Sequence, residues 1–297
     1  MYEKILVPLD GSELAEVALP YAEELAGRMG SEIILVYVGE SNEDPYRHMY
    51  QAYLDKMIET TRQGAERNLA KLVAKAIDIK SAFLAGNPAE EIVDYADREK
   101  IGLIVMATHG RSGLRRWALG GVADKVVRAT EQPVALIRSK GARADVREKG
   151  ILTKALVPLD GSKESEAVLP YIEELASKLK AEVILLRVLT MDYVVTSDEQ
   201  LKQIKHRRAS TKDYLKKVAA RLKQKGIAAK AEFRETMVHN EASEIIKLAN
   251  EAYVDVIAMS IYGQSGISHW AFGSVTERVL YEGDTPLLLV RPGATTD

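Results

Sequence analysis

The chain has 297 residues, a formal net charge of −2 and no cysteine, and 46% of its residues are hydrophobic. This length favours two domains of ordinary size, and the composition is that of a globular protein with buried cores. The missing thiols exclude disulfides, thiolate zinc sites, iron–sulfur clusters and cysteine nucleophiles. The near-neutral charge provides no general attraction to nucleic acid or to an anionic membrane, so we expect neither as a partner.

The first half of the chain alternates short β-branched runs with longer segments of helical periodicity. Strands are predicted at residues 4–9, 32–38, 79–85, 103–107 and 134–138, and helices at residues 13–29, 45–76, 88–99 and 118–130. The strands are nearly continuous apolar runs, which is typical of a parallel sheet covered on both faces. The first residues enter a strand directly rather than a signal peptide, and no apolar run approaches the length of a membrane span. We therefore expect a cytoplasmic protein.

The second half repeats this pattern. Residues 4–12 return as residues 154–162 with one substitution, 150 positions later, whereas Gly120 matches Gly273, 153 positions later. The second copy therefore has three extra residues in its middle. Its strands are predicted at residues 155–159, 181–188, 228–233, 254–259 and 287–291.

The repeat and the alternation of elements predict the fold class. Each copy is expected to be an α/β domain with a doubly wound, five-stranded parallel sheet, because right-handed crossovers cover both faces only when the strand order reverses once. The predicted domains are residues 1–140 and 153–297, joined by a linker at 141–152, a stretch without apolar periodicity.

The turn after the first strand of each copy reads Asp-Gly-Ser, at Asp10 and again at Asp160. In such sheets ligands gather at the carboxyl ends of the strands, where the strand order reverses. A carboxylate there is suited to a hydrogen bond with a ribose or a base edge. A tight turn that caps the following helix is an equally good interpretation.

A glycine-containing loop follows the fourth strand of each copy. The first copy has Ala107, then Gly110, nine further residues and Gly120-Gly121, and the second has Ser260, then Gly263, nine residues and Gly273-Ser274. Glycine permits close approach of a backbone to phosphate oxygens, and the N-terminus of the next helix adds aligned donors. The repeated spacing therefore predicts an anion site, to which Ser274 would add a hydroxyl group.

On these residues both copies resemble universal stress protein domains of the tandem type, over nearly the whole chain. The resemblance implies a Rossmann-like fold akin to the adenine nucleotide alpha hydrolases. It also implies kinship with a nucleotide-binding branch whose loop reads Gly-x2-Gly-x9-Gly-(Ser/Thr). The second copy departs from that loop at Ser260, and the first copy departs at Ala107 and at Gly121.

The resemblance implies a set of nucleotide-binding residues in each copy. In the second copy these are Pro158, Leu159, Asp160, Val188, Met259, Ser260, Gly263, Gly273, Ser274 and Val275. In the first copy they are Pro8, Leu9, Asp10, Val38, Met106, Ala107, Gly110, Arg111, Gly120, Gly121 and Val122. No catalytic or metal-binding residue is implied. The expected ligand is ATP or AMP, with any Mg²⁺ held through the phosphates.

Other polar residues have a structural interpretation beside the functional one. Arg111, Arg115 and Arg116 would compensate for the missing hydroxyl at Gly121, or would be solvated. His109 and His269 are expected to be structural or to line a pocket. The basic helix predicted within residues 196–225 is interpreted as a solvated face.

Three functions remain open from the sequence. The first is a stress-response or regulatory protein that binds adenine nucleotide in one or both copies with little or no catalysis. The second is a ligand-free scaffold with degenerate loops, and the third is a slow ATPase. The apolar fifth strands at residues 133–138 and 286–291 are expected to pair within the chain, since each would otherwise expose an edge. A homodimer and a protein partner are further expectations.

Overall fold

A computed structural model describes residues 1–69, 77–109, 119–138, 152–191, 197–237, 240–263 and 272–293. The chain divides into two compact units, Met1–Ile151 with Pro286–Leu289 and Leu152–Thr285 with Val290–Asp297. Each unit alternates strands and helices along the chain, as the periodicity predicts.

The first unit contains the elements of the first repeat. They are β1 (Lys4–Leu9), α1 (Glu13–Glu16), α2 (Leu19–Met29), β2 (Glu32–Gly39), α3 (Arg47–Leu69), β3 (Ile79–Ala85), α4 (Pro88–Arg98), β4 (Leu103–Ala107), α5 (Gly121–Ala129) and β5 (Val134–Ile137). Strand β1 pairs in parallel with both β2 and β4, with Ile5 opposite Ile33 on one side and Leu103 on the other. The strand order therefore reverses at β1.

The elements of the second repeat follow the same order. They are β6 (Lys154–Pro158), α6 (Lys163–Glu166), α7 (Leu169–Leu179), β7 (Glu182–Met191), α8 (Asp198–Gln224), β8 (Ala229–Met237), α9 (Glu241–Glu251), β9 (Val256–Ser260), α10 (Ser274–Glu282) and β10 (Leu287–Val290). Strand β6 lies between β7 and β9 and is parallel to both. The carboxylate of Asp255, just before β9, accepts hydrogen bonds from the backbone N–H groups of Thr153 (2.9 Å) and Lys154 (2.9 Å) at the start of β6.

The last strand pairs with the fifth. In the first unit, Leu287 lies opposite Leu136 and Leu289 opposite Val134 in an antiparallel ladder. The residues that pair are the apolar ones whose exposure would have left an open edge. The pairing of the two fifth strands that the sequence predicted is therefore observed.

Helices cover the strands on both faces. Strands β4 and β9 are buried at every position, as expected for strands enclosed on two sides. In the first unit α2 packs against α3 and α4 packs against α5, and in the second α9 packs against α10. The predicted class, an α/β fold with doubly wound and largely parallel sheets, is confirmed.

Several predicted boundaries are wrong. The helix predicted at residues 13–29 is two helices, α1 and α2, because Pro20 lacks the N–H group that would continue the hydrogen-bond ladder. Helix α5 begins at Gly121 rather than at residue 118, since Gly120 is its N-cap. Strands β7 and β8 extend beyond residues 188 and 233, because the two strands remain paired as far as Met191 and Met237.

The three extra residues of the second copy can now be located. Ile79 and Ala229 lie opposite Ile33 and Val183, so the offset is still 150 at β3 and β8. The following helices begin at Pro88 and Glu241, where the offset has become 153. The insertion therefore lies at the end of β8 and in the connection to α9. Within the described ranges, no helix is long and apolar enough to cross a membrane.

Candidate functional site

A cavity of about 400 Å³ opens at the carboxyl ends of β6, β7 and β9 in the second unit. Every residue predicted for this copy lines it, namely Pro158, Leu159, Asp160, Val188, Met259, Ser260, Gly263, Gly273, Ser274 and Val275. The parallel pairing of three strands brings these residues together although the sequence separates them by more than 100 positions.

The Asp-Gly-Ser turn after β6 is both a helix cap and part of the cavity wall. The Asp160 Oδ1 atom accepts hydrogen bonds from the Ser162 N–H group (2.9 Å) and from the Ser162 hydroxyl. Ser162 Oγ in turn accepts from the Ser165 N–H group at 3.1 Å and caps α6. Gly161 has a φ of +80°, which favours glycine. The turn therefore fixes the Asp160 carboxylate at the end of β6.

Gly263 leaves room for the Asp160 carboxylate. A Cβ atom added at Gly263 would lie 2.2 Å from Asp160 Oδ2, well inside contact distance. The turn after β6 and the loop after β9 therefore touch through a carboxylate and a glycine. This close approach explains why position 263 is occupied by glycine, which has no side chain.

The second loop glycine closes its loop onto the strand end. The N–H group of Gly273 donates to the Ile261 carbonyl at 2.8 Å, and that of Gly120 donates to the Thr108 carbonyl at 2.8 Å in the first unit. The amides of these glycines are thus occupied by the protein. The donors that remain for a ligand are those at the start of the following helix, since the first N–H groups of a helix have no partner within it.

The start of α10 offers backbone N–H groups of this kind. Gly273 is the N-cap, and within the described residues no side chain caps this helix. Ser274 is exposed at the first helical position. The Thr276 hydroxyl donates to the Ser260 carbonyl at 3.0 Å, which ties the helix start to the end of β9. The Ser260 hydroxyl donates to the Tyr262 carbonyl at 2.7 Å, so serine at this loop position supports the turn.

The first unit has a smaller cavity, of about 210 Å³, at the corresponding place. The predicted residues that line it are Pro8, Leu9, Asp10, Val38, Met106, Ala107, Gly120, Gly121 and Val122. Gly110, Arg111, Arg115, Arg116 and His269 lie outside the described residues. The Asp10 Oδ1 atom accepts from the Ser12 N–H group (3.0 Å) and hydroxyl (2.6 Å), which repeats the turn of the second unit.

One difference between the walls of the two cavities was not predicted from the sequence. Arg187 lines the second cavity from β7, whereas Tyr37 occupies the matching position, 150 residues earlier, in the first unit. The Tyr37 ring stacks on Tyr50 with centroids 4.4 Å apart and lies 6.3 Å from Phe83. A charged residue inside an otherwise apolar strand was the signal in the sequence.

Burial and a neighbouring carboxylate have opposite effects on the pKa of Arg187. Burial lowers the pKa of the Arg187 guanidinium, and the Asp160 carboxylate acts in the opposite direction. Arg207, on α8, lines the same cavity. Arg207 is exposed, as the interpretation of this helix as a solvated face predicts. Its place at the cavity was not predicted, because it depends on how the long helix packs.

A tyrosine–glutamate hydrogen bond links the long helix to the first short helix in both units. The Tyr53 hydroxyl donates to Glu16 (3.0 Å) and the Tyr214 hydroxyl donates to Glu166 (2.8 Å). Burial, together with the neighbouring carboxylate, raises the pKa of both tyrosines. The pair escaped detection from sequence because the two tyrosines are 161 rather than 150 positions apart.

His109, one of the histidines of the first unit, lies at the wall of the first cavity. His109 Nδ1 lies 3.1 Å from Thr108 Oγ1, and both residues line the cavity. In the part of the chain that the structure describes, no cluster of three or more His, Asp or Glu residues has the arrangement of a metal site.

The contact between Gly263 and Asp160 generates a test. Gly263→Ala should lower the free energy of unfolding by about 1–3 kcal/mol, because the new methyl group displaces a carboxylate that the turn holds in place. Asp160→Ser removes the obstructing oxygen while keeping a group that can accept from the turn. Urea titrations of the two single variants and the double variant measure the coupling between the two positions.

In the Asp160→Ser background, Gly263→Ala should cost less by about 1 kcal/mol or more. Gly121→Ala is the control, since a Cβ atom there meets nothing within 4 Å. Additive effects of the two substitutions would contradict the contact.

Comparison with known proteins agrees with this architecture. The model of the universal stress protein family matches residues 1–138 and again residues 152–291. A universal stress protein of Methanocaldococcus jannaschii is 28% identical over 159 residues, which are 48% of this chain and 98% of that protein.

Two solved structures are similar over nearly the whole chain and show the fold. A universal stress protein from Archaeoglobus fulgidus has a TM-score of 0.68 at 20% identity, covering 97% of this chain and 96% of that one. A putative universal stress protein from Pseudomonas aeruginosa has a TM-score of 0.70 at 17% identity, covering 98% and 94%. With the family matched once in each half, the chain belongs to the universal stress protein family and carries two copies of its domain.

Proposed function

We propose that this universal stress protein binds an adenine nucleotide, ATP or AMP, in its second unit and acts as a nucleotide-responsive regulator with little or no catalysis. One observation carries the proposal. The Asp160 carboxylate and the start of α10 line the same cavity of about 400 Å³, within the usual size range of ligand sites.

The proposed roles follow from the positions of the groups. A phosphate group would accept from the backbone N–H groups at the start of α10 and from the Ser274 hydroxyl, where the helix dipole favours an anion. The Asp160 carboxylate would accept from a ribose hydroxyl or a base edge. Mg²⁺ bound to a triphosphate would be held through phosphate oxygens and water. Adenine as the base rests on the family resemblance.

For the first unit a different role is better supported. Its cavity of about 210 Å³ is roughly half as large. Gly121 stands where the second unit has Ser274, so the loop offers no hydroxyl group at that position. We propose that this unit binds nucleotide more weakly or serves as a ligand-free scaffold for a protein partner.

The proposal is tested by calorimetric titration of nucleotide-stripped protein with ATP and Mg²⁺, and then with AMP. We expect saturable binding dominated by one site per chain. Gly273→Val should abolish that site, because a Cβ atom at Gly273 already lies 3.3 Å from the Tyr262 Cα atom, so the larger side chain would push the loop after β9 away from the start of α10. A single-turnover assay with labelled ATP measures hydrolysis, and rapid product formation would identify an ATPase instead.

The outcomes of the titration are distinct. Unchanged affinity in a folded Gly273→Val protein would contradict the assignment of the loop. No heat of binding and no ligand-induced rise in Tm would support the ligand-free scaffold for both units. Two equal sites would contradict the proposed difference between them.

A reciprocal exchange tests the role of the hydroxyl group. Ser274→Gly should weaken nucleotide binding in the second unit about tenfold, the expected effect of losing a hydrogen bond to a charged group. Gly121→Ser should strengthen binding in the first unit, because a Cβ atom there meets no other atom within 4 Å. Both are measured by calorimetry. Equal affinities in wild type and both variants would show that the hydroxyl group makes no contact with the phosphate.

A further inference from the structure

The second cavity contains positive charge in addition to the helix start. Arg187 lines the cavity from β7 and Arg207 lines it from α8. The first cavity has no arginine among its described lining residues, and Tyr37 takes the place of Arg187. The two sites therefore differ in charge as well as in size.

The guanidinium group of Arg187 has five N–H donors but few hydrogen-bond acceptors near it among the described residues. Within the described structure, its guanidinium group makes one hydrogen bond, a long one of 3.4 Å from Nη1 to the Leu159 carbonyl. Neither Arg187 nor Arg207 forms an ion pair with a described carboxylate, whereas the adjacent Arg208 pairs with Glu235. A half-buried guanidinium with unused donors is costly to desolvate unless an anion joins it.

The position of Arg187 relative to the proposed phosphate site is fixed by strand order. The strands run β9, β6, β7, so Asp160 at the end of β6 separates the start of α10 from Arg187. Two strand spacings correspond to about 10 Å. A Cβ atom at Gly161 would lie 3.0 Å from Arg187 Nη1, which places the guanidinium beside the turn that holds Asp160.

We propose that the second unit selects a nucleotide with two separate anionic groups, an inference that rests on the proposed function. The 5′-phosphate lies at the start of α10, and a second phosphoryl group on the ribose is bound by Arg187 with Arg207. In this arrangement Asp160 meets the ribose rather than a base edge, and the ribose hydroxyl positions face Arg187. Without the guanidinium, a second phosphate beside Asp160 would be repelled.

The second phosphoryl group has two sources with the same chemistry. It is either a terminal 2′- or 3′-phosphate or the phosphodiester that joins a second nucleotide. Planar guanidinium groups bind both through paired N–H donors. The titration therefore includes adenosine 2′,5′-bisphosphate, adenosine 3′,5′-bisphosphate and a 3′,5′-linked diadenosine dinucleotide that also carries a 5′-phosphate, each compared with AMP.

The test uses the full-length protein, stripped of nucleotide, and calorimetry with these four ligands. We expect at least one of the ligands with a second phosphoryl group to bind about tenfold or more tightly than AMP. Its affinity should also fall more steeply as the salt concentration increases. Arg187→Gln should weaken binding of the ligands with a second phosphoryl group about tenfold more than it weakens AMP binding, and so remove that preference, whereas Arg187→Lys should retain part of it. Arg208→Gln is the matched control, because it removes the same charge from a residue that does not line the cavity.

The results separate this inference from the proposed function. If AMP binds but no second phosphoryl group increases affinity, the inference is wrong and the nucleotide site stands. A preference that persists in Arg187→Gln would also overturn it, and would leave Arg187 as a counter-charge for Asp160. If none of the four ligands binds, the inference is wrong, and the titration with ATP and Mg²⁺ decides whether the proposed nucleotide site stands. The ligand that binds most tightly tells which source of the second phosphate fits.

Discussion

The site depends on one constraint, the parallel pairing of β6 with both β7 and β9. Because all three strands run in the same direction, their carboxyl ends meet at one edge of the sheet. The turn that holds Asp160 then touches the loop that contains Gly263. The buried carboxylate of Asp255 secures the opposite ends of β6 and β9. The first unit repeats the pairing through β1, β2 and β4, and the described residues at the corresponding positions line a cavity there.

The two copies share the strand pairing and the turns at the strand ends, but the side chains that line their cavities differ. Both loops are closed by a glycine amide that donates to the strand end, and both Asp-Gly-Ser turns cap a short helix. The wall contributed by the second strand differs, because Tyr37 joins an aromatic stack whereas Arg187 faces the cavity. The two cavities therefore share the backbone at the strand ends and differ in the side chains of their walls.

The sequence was sufficient to predict the strands, the reversal of order and the residues at the strand ends. These features depend on apolar runs and on the repeat, which are local or periodic signals. The break between α1 and α2 was missed although Pro20 is visible, because the apolar periodicity continues across it. The Tyr214–Glu166 hydrogen bond and the contact of Arg207 with the cavity depend on where the long helix packs. Neither follows from spacing, since the matching tyrosines differ in offset.

The most direct test of the account is a crystal structure of the protein grown with saturating AMP. We expect a nucleotide in the second unit, with its phosphate at the backbone N–H groups of Ser274 and Val275 and its ribose or base within hydrogen-bond distance of Asp160. Arg187 should lie on the side of the ribose away from that phosphate. A nucleotide bound elsewhere, or an empty cavity in the second unit, would contradict the account.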